Sequence, residues 1–156
     1  MRKSVFTAFC LLVLMACAGA AGQAAVQAWS FDAAGNLAVL EDQVGQEPIF
    51  IPFASQGTAM EIIAVRGKDG KVRVAFNTCN VCNGSPKAFF TFEKGKFICQ
   101  NCKNAFPAEM VGEEVGGCAP MAIPGAMRRG GSIMIPRESI SAYRDRFLRW
   151  KKGMRQ

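Results

Sequence analysis

The stretch MEIIAVRGKDGKVRVAFNTCNVC, residues 60–82, contains two apolar runs, a polar turn and a pair of cysteines. The runs are Met60–Val65 and Val72–Phe76, and the turn between them includes Asp69 and Gly70. Asp-Gly flanked by strand-forming residues is a strong signal for a β-hairpin. The sequence therefore predicts a hairpin whose second strand leads into a Cys-x-x-Cys pair.

Short strand-like segments separated by turn residues continue on both sides of this hairpin. They are Val26–Phe31, Leu37–Leu40, 48–53, Phe89–Phe92, Phe97–Cys99 and Ile133–Ile135. Strands at this spacing, with no helical periodicity between them, indicate an all-β domain. We therefore expect a mainly β fold: a small β-sandwich or barrel-like domain with two cysteine knuckles, followed by one C-terminal amphipathic helix.

The cysteines carry the clearest chemical signal. Cys79, Cys82, Cys99 and Cys102 have the spacing C-x2-C-x16-C-x2-C, which fits a four-thiolate metal site. Soft thiolate ligands select zinc, iron–sulfur clusters or copper(I) rather than magnesium or calcium. The same pairs also fit redox-active thiols or purely structural zinc. They would fit structural disulfides if the chain is exported, as its N-terminus indicates below, because exported proteins lie in an oxidising compartment.

A fifth cysteine, Cys118, follows two glycines and precedes Pro120 by two positions. This tight turn makes Cys118 a candidate fifth ligand, a ligand for a second metal or cluster, or a free thiol that pairs with a partner. The chain contains no histidine, which excludes catalytic triads, mixed Cys/His sites and CxxCH haem attachment.

The N-terminal residues 1–20 read as a signal peptide. Arg2 and Lys3 precede an apolar run of 11 residues, Val5–Met15, and small residues follow it. The same segment fits equally well a lipoprotein signal that ends before Cys17, and Cys17 would then carry the lipid anchor. Either reading places the protein outside the cytoplasmic membrane, in the periplasm or anchored to the membrane.

The remaining chain divides into residues 21–47, with N-terminal strands and a linker, the cysteine-rich domain 48–136, and a basic C-terminal helix 137–156. From Arg128 to the end there are nine basic and two acidic residues, a balance of +7, whereas residues 21–127 have eight basic and ten acidic, a balance of −2. The helical stripe consists of Ile140, Tyr143, Phe147 and Trp150. This tail could lie on an anionic membrane or dock on a partner, but we favour packing of its stripe on the β domain. Nucleic-acid binding is not expected of an exported chain.

Several segments together resemble the FtrD-like family of bacterial membrane-associated iron–sulfur proteins. They are 48–52, Ile63–Arg66 with Asp69-Gly70, Val74–Phe76 before Cys79-x-x-Cys82, Phe97–Cys99 with Cys102, and Gly116-Gly117-Cys118-x-Pro120. The resemblance covers about residues 48–136. It implies binding of a metal or iron–sulfur cluster at Cys79, Cys82, Cys99, Cys102 and Cys118, in ferrous-iron uptake or an envelope redox system. It also implies a separate membrane partner, such as a permease or redox protein, because some members of the family fuse this domain to membrane spans.

The second cysteine pair and the turn at Cys118 are also similar to half of a Rieske site, which requires two histidines that this chain lacks. The implied scaffold is distantly Rieske-like or ribbon-like. Iron–sulfur clusters are assembled inside cells and this type of signal exports unfolded chain, so zinc or iron acquired outside is easier to supply than a cluster.

These observations lead to three candidate functions: an exported iron or iron–sulfur protein, a structural-zinc adapter that docks a membrane partner, or a thiol–disulfide oxidoreductase. The first two are not enzymes, and we do not expect enzymatic activity.

Overall fold

The structure is a computed structural model that describes residues 27–113 and 117–152. The predicted signal segment, Cys17 and the last four residues lie outside this part of the chain. The strands are β1 (Trp29–Phe31), β2 (Leu37–Leu40), β3 (Ile49–Ser55), β4 (Thr58–Arg66), β5 (Val72–Cys79), β6 (Phe90–Glu93), β7 (Lys96–Cys99), β8 (Ala105–Pro107), β9 (Pro120–Met121), β10 (Met127–Arg129) and β11 (Ser132–Ile135). The helix α1 is Arg137–Ala142, and 3-10 turns occur at Glu41–Gln43, Ala108–Met110 and Arg144–Phe147.

The strands form three antiparallel sheets, which confirms the predicted mainly β class. The first sheet has the order β1-β2-β11-β10, the second β3-β4-β5-β9 and the third β6-β7-β8. The predicted hairpin is β4–β5, with Ile62 opposite Phe76 and Arg66 opposite Val72. Gly70 takes the left-handed conformation at its turn, with φ +79°.

The second sheet is the middle layer, because both of its faces are covered. Ile62 and Ala64 of β4 pack in a core shared with the first sheet. The alternate residues Ile63 and Val65 pack in a second core, which contains Phe90 and Phe97 of the third sheet. Burial on both faces explains why β4 is almost continuously apolar, since each fully buried Ile or Val stabilises the fold by about 1.5–3 kcal/mol.

The C-terminal helix is shorter than the predicted interval 137–156, since α1 ends at Ala142 and a 3-10 turn follows. Tyr143 stacks on Phe76 of β5 at 5.3 Å between ring centroids, and Phe147 meets the same ring at 5.9 Å. Because short helices depend on tertiary packing, these aromatic contacts decide the path of the chain. The apolar stripe therefore packs on the β domain, as favoured from the sequence, and Phe147 and Trp150 are buried. Among the helices described, none is long and apolar enough to cross a bilayer.

We expect Gly112→Ala to lower the free energy of unfolding by about 2 kcal/mol or more. Gly112 has φ +71°, and a Cβ there would lie 2.5 Å from the carbonyl oxygen of Val74 in β5. A left-handed backbone alone costs about 1–2 kcal/mol for a residue with a Cβ, and the clash adds to it. The matched control is Gly70→Ala, where φ is +79° but no atom lies within 4 Å of the added Cβ. Urea unfolding of both variants is the measurement, and equal losses would contradict a role for the close approach to β5.

Candidate metal centre

Three loops bring the described cysteines together at one end of the middle and third sheets. Cys79 ends β5, and Cys82 follows in the turn after it. Cys99 ends β7, and Cys102 lies in the corresponding turn. Cys118 comes just before β9, and the pairing of β9 with β5 places Pro120 opposite Cys79. The sheet pairing thus brings a cysteine distant in sequence to the first knuckle.

Four sulfurs form a compact group. The Sγ atoms of Cys79, Cys82, Cys102 and Cys118 all lie within 4.8 Å of one another. Sulfurs arranged tetrahedrally around one ion at about 2.3 Å would be about 3.8 Å apart, so small inward movements suffice to hold a metal. The four-cysteine group fits a metal ion or an iron–sulfur cluster, and all five described cysteines are free thiols.

Cys99 is not in this group of four, although the sequence spacing predicts it as a ligand. The two knuckles are nevertheless alike: amides of Val81 and Cys82 donate to the Cys79 thiol, and amides of Asn101 and Cys102 donate to the Cys99 thiol. Cys99 is fully buried and its thiol interacts with that of Cys102. The ligand role of Cys99 therefore stays a prediction, and Cys118 takes the fourth place in the compact group.

Burial dominates the electrostatics of the two innermost thiols. It raises the pKa of Cys79 and of Cys99 above the usual value, although the loop amides oppose the rise in both. A dry site disfavours an isolated thiolate, which makes a bound cation the natural compensation for its charge.

Two of the partly exposed thiols, those of Cys102 and Cys118, have pKa values shifted in opposite directions. Burial raises the pKa of Cys102, but the amide of Asn104 and hydrogen bonds with neighbouring thiols outweigh it, so the net pKa is lowered. The pKa of Cys118 is raised, chiefly because its thiol is hydrogen-bonded with that of Cys102. Cys102 thus has surroundings that favour the thiolate, the form that binds metal.

Aromatic side chains form the floor of the site. Phe90 and Phe97 are fully buried in the same core cluster as Cys79 and Cys99, and Phe92 packs against that cluster. Phe89, by contrast, packs against the other core and meets Trp150 at 6.2 Å between ring centroids. An apolar floor excludes water and thereby influences the potential of a bound redox metal.

Hydrogen bonds tie the three loops to one another. The amide of Asn80 donates to the carbonyl of Ala119 at 3.1 Å, which joins the first knuckle to the Cys118 loop. The Ser85 hydroxyl lies 2.8 Å from Oδ1 of Asn101, which joins the two knuckles. Lys103, directly after Cys102, takes the left-handed conformation with φ +65°. The cysteines are therefore held by a connected set of loops.

The C-terminal strap, residues 146–152, supports the first knuckle. The indole Nε1 of Trp150 donates to the carbonyl of Asn77 at 2.8 Å in a buried position. The amide of Lys151 donates to the carbonyl of Pro86 at 3.0 Å, and Nη1 of Arg146 donates to Oδ1 of Asn83 at 3.3 Å. Sequence reasoning missed this support, and the signal for it was Trp150, the last residue of the apolar stripe.

A buried polar network anchors the same strap. Lys152 forms an ion pair with Glu61, and its ammonium lies 3.6 Å from the centroid of the Phe50 ring. Nδ2 of Asn77 donates to Oε1 of Glu61 at 2.6 Å, and the Asn77 side chain also hydrogen-bonds both backbone groups of Phe90. Because Glu61 and Asn77 are buried, this network satisfies polar groups that would otherwise destabilise the fold.

A comparison of the chain with protein-family models agrees with these features. Residues 45–147 match the model for "Membrane iron-sulfur containing protein FtrD-like", which spans the cysteines and most of the described chain. No curated protein and no solved structure matched the chain. The match covers well over half of the sequence, so the chain belongs to the FtrD-like family of membrane iron–sulfur proteins.

Proposed function

We propose that the protein is an exported iron protein, holding iron or an iron–sulfur cluster through cysteine thiolates, that serves iron transport or electron transfer in the cell envelope. One observation carries the proposal: four cysteine sulfurs within 4.8 Å of one another in a member of an iron–sulfur family. Iron bound by thiolates exchanges single electrons without large changes of geometry, which is the chemistry that either role requires.

The protein's own residues prepare the site for that chemistry. The buried phenylalanines exclude water on one side, and the loop amides of Val81 and Cys82 donate to the Cys79 thiol. Such hydrogen bonds and burial are the main protein features that set the potential of a thiolate-bound metal. Cys82, Cys102 and Cys118 are partly exposed, so a partner can approach the site from solvent.

The cellular setting is part of the proposal. Residues 1–20 serve as the export signal, or Cys17 carries a lipid anchor, and the partner is a membrane permease or an envelope redox protein. The name of the family and the predicted N-terminal signal support this setting. The basic tail adds attraction to anionic surfaces near the membrane.

A structural-zinc adapter is the second candidate, and the compactness of the sulfur group favours it. Sulfurs within 4.8 Å of one another suit a single ion, and zinc would supply folding energy while the surface docks a partner. The lowered pKa of the Cys102 thiol would suit a thiol–disulfide oxidoreductase, but it equally suits a metal ligand and so does not favour that function.

Metal analysis with an absorption spectrum separates these functions. We expect mature protein, purified anaerobically from the cell envelope, to contain iron and to absorb in the visible through sulfur-to-iron charge transfer. Acid-labile sulfide measured in the same sample distinguishes a cluster from a single iron ion. Zinc with a featureless visible spectrum would establish the adapter instead, and folded protein without metal would contradict both.

A further inference from the structure

We propose that the exposed surface around the cysteine cluster is a docking site for an acidic protein partner. The inference rests on the proposed function, since such a partner would reach the metal through this surface. We define the cysteine face by the segments 80–87, 100–104, 117–119 and 146–152. Hydrogen bonds join the first segment to each of the other three.

The charge of the cysteine face has one sign. Its four segments contain six basic residues and no acidic residue: Lys87, Lys103, Arg146, Arg149, Lys151 and Lys152. The rest of the chain from residue 21 has 11 basic and 12 acidic residues, a balance of −1. The positive charge is therefore concentrated on the cysteine face. A surface of this kind steers the encounter with an acidic partner and raises the association rate.

Among the described residues, most of these charges have no carboxylate partner. Nζ of Lys103 lies 3.2 Å from the amide oxygen of Gln100, and Arg146 donates to the amide oxygen of Asn83. Within residues 27–113 and 117–152, Lys152 is the member of the set that pairs with a carboxylate, that of Glu61. Cations held by neutral amides are positioned but keep their charge for a partner.

Apolar side chains at the same face provide the centre that such an interface needs. Val81 is 65% exposed between Cys79 and Cys82, and Leu148 is 61% exposed on the strap. An apolar centre within a polar rim is the usual anatomy of a protein interface. A contact at Val81 would also place the partner beside two cysteines of the compact group.

A membrane surface fits the same face less well. Amphipathic segments that lie on membranes insert a continuous apolar side, but the strap buries Phe147 and Trp150 in the protein core. The apolar side chains that stay exposed on this face, Val81 and Leu148, are isolated and lie among cationic residues. This arrangement suits a small, charge-guided interface with another protein, of the size typical of transient redox partners.

Photo-crosslinking in the native cells tests the proposal. We expect p-benzoylphenylalanine at Val81 to crosslink a protein whose contact site, mapped by mass spectrometry, is acidic. The triple variant Lys87→Glu, Lys103→Glu and Arg146→Glu should lower the yield about tenfold, the effect typical of removing electrostatic guidance. The reversal Lys68→Glu, Lys71→Glu and Lys94→Glu, at exposed turns remote from the cysteines, should leave the yield unchanged.

The controls separate docking from the metal itself. The same crosslinker at Phe31, which lies in the sheet without cysteines, should give no such product. Absence of a protein product at Val81, a yield insensitive to the first reversal, or adducts with lipid alone would overturn the proposal; binding to phosphatidylglycerol vesicles would then test the membrane reading. Metal content of every variant is measured in parallel: charge-dependent docking by metal-free protein would overturn the proposed function and leave the docking site standing.

Discussion

Cys118→Ala is expected to reduce the bound metal, a single ion or a cluster, to near zero, whereas Cys99→Ala should retain it. The sulfur of Cys118 belongs to the compact group with Cys79, Cys82 and Cys102, and that of Cys99 does not. Removing one of four thiolates from a tetrahedral site removes most of its affinity, and the folding energy that the metal supplies goes with it. The loss should therefore appear both in metal analysis and as a lower Tm.

The comparison is well controlled because each substitution deletes one thiol, that of Cys118 inside the compact group and that of Cys99 beside it. Cys99→Ala also leaves a small cavity in a buried apolar environment, so its expected effect is a modest loss of stability with the metal still present. Cys118→Ala concerns a partly exposed side chain and creates little cavity. Retention of metal in Cys118→Ala with loss in Cys99→Ala would restore the ligand set that the C-x2-C-x16-C-x2-C spacing predicts.

Trp150→Ala is expected to lower the free energy of unfolding by roughly 3–5 kcal/mol and to speed release of the metal to a chelator. Trp150 is buried against Phe147 and Phe89, and its indole bonds the carbonyl of Asn77, two residues before Cys79. Loss of this ring removes core packing and frees the first knuckle. Urea unfolding and the rate of metal transfer to a chelator measure the two effects.

Two further variants divide the role of Trp150 into packing and hydrogen bonding. Trp150→Phe keeps an aromatic ring but leaves the buried carbonyl of Asn77 without its donor, which should cost about 1–3 kcal/mol. Leu148→Ala changes an exposed residue of the same strap and should leave both stability and metal release unchanged. Unaltered metal release in the Trp150 variants would contradict the support role and return the tail to a purely docking element.

The elements that could be predicted from the sequence are those specified by neighbouring residues. The β4–β5 hairpin follows from two apolar runs around Asp69-Gly70, and each Cys-x-x-Cys turn places its sulfurs within one loop. Strands β8, β9 and β10 were not predicted, because segments of two or three residues carry no readable alternation. They exist through pairing with partners distant in the chain, such as Pro120 opposite Cys79.

The same distinction explains the site. Spacing predicts both cysteine pairs as ligands, and the structure brings Cys79, Cys82 and Cys102 together with Cys118. The position of Cys118 beside Cys79 depends on how β9 pairs with β5. For the strap, the sequence predicts a basic helix with a packed apolar stripe, but not the contacts with Asn77 and Pro86, which join residues more than 60 positions apart. The apolar stripe indicates that Trp150 is buried, but no local pattern indicates which distant carbonyl its indole contacts.

The dependence of the first knuckle on Trp150 sets an order of events while the chain is being made. Cys79 is synthesised 71 residues before Trp150, which corresponds to about 4–14 s at ordinary rates of translation. The thiols of the compact group are all present once Cys118 has been made, but Trp150, which secures the first knuckle, follows only 32 residues later. The binding site can therefore be completed only after Trp150 has been made, and a metal captured earlier would be held by a knuckle that lacks this support.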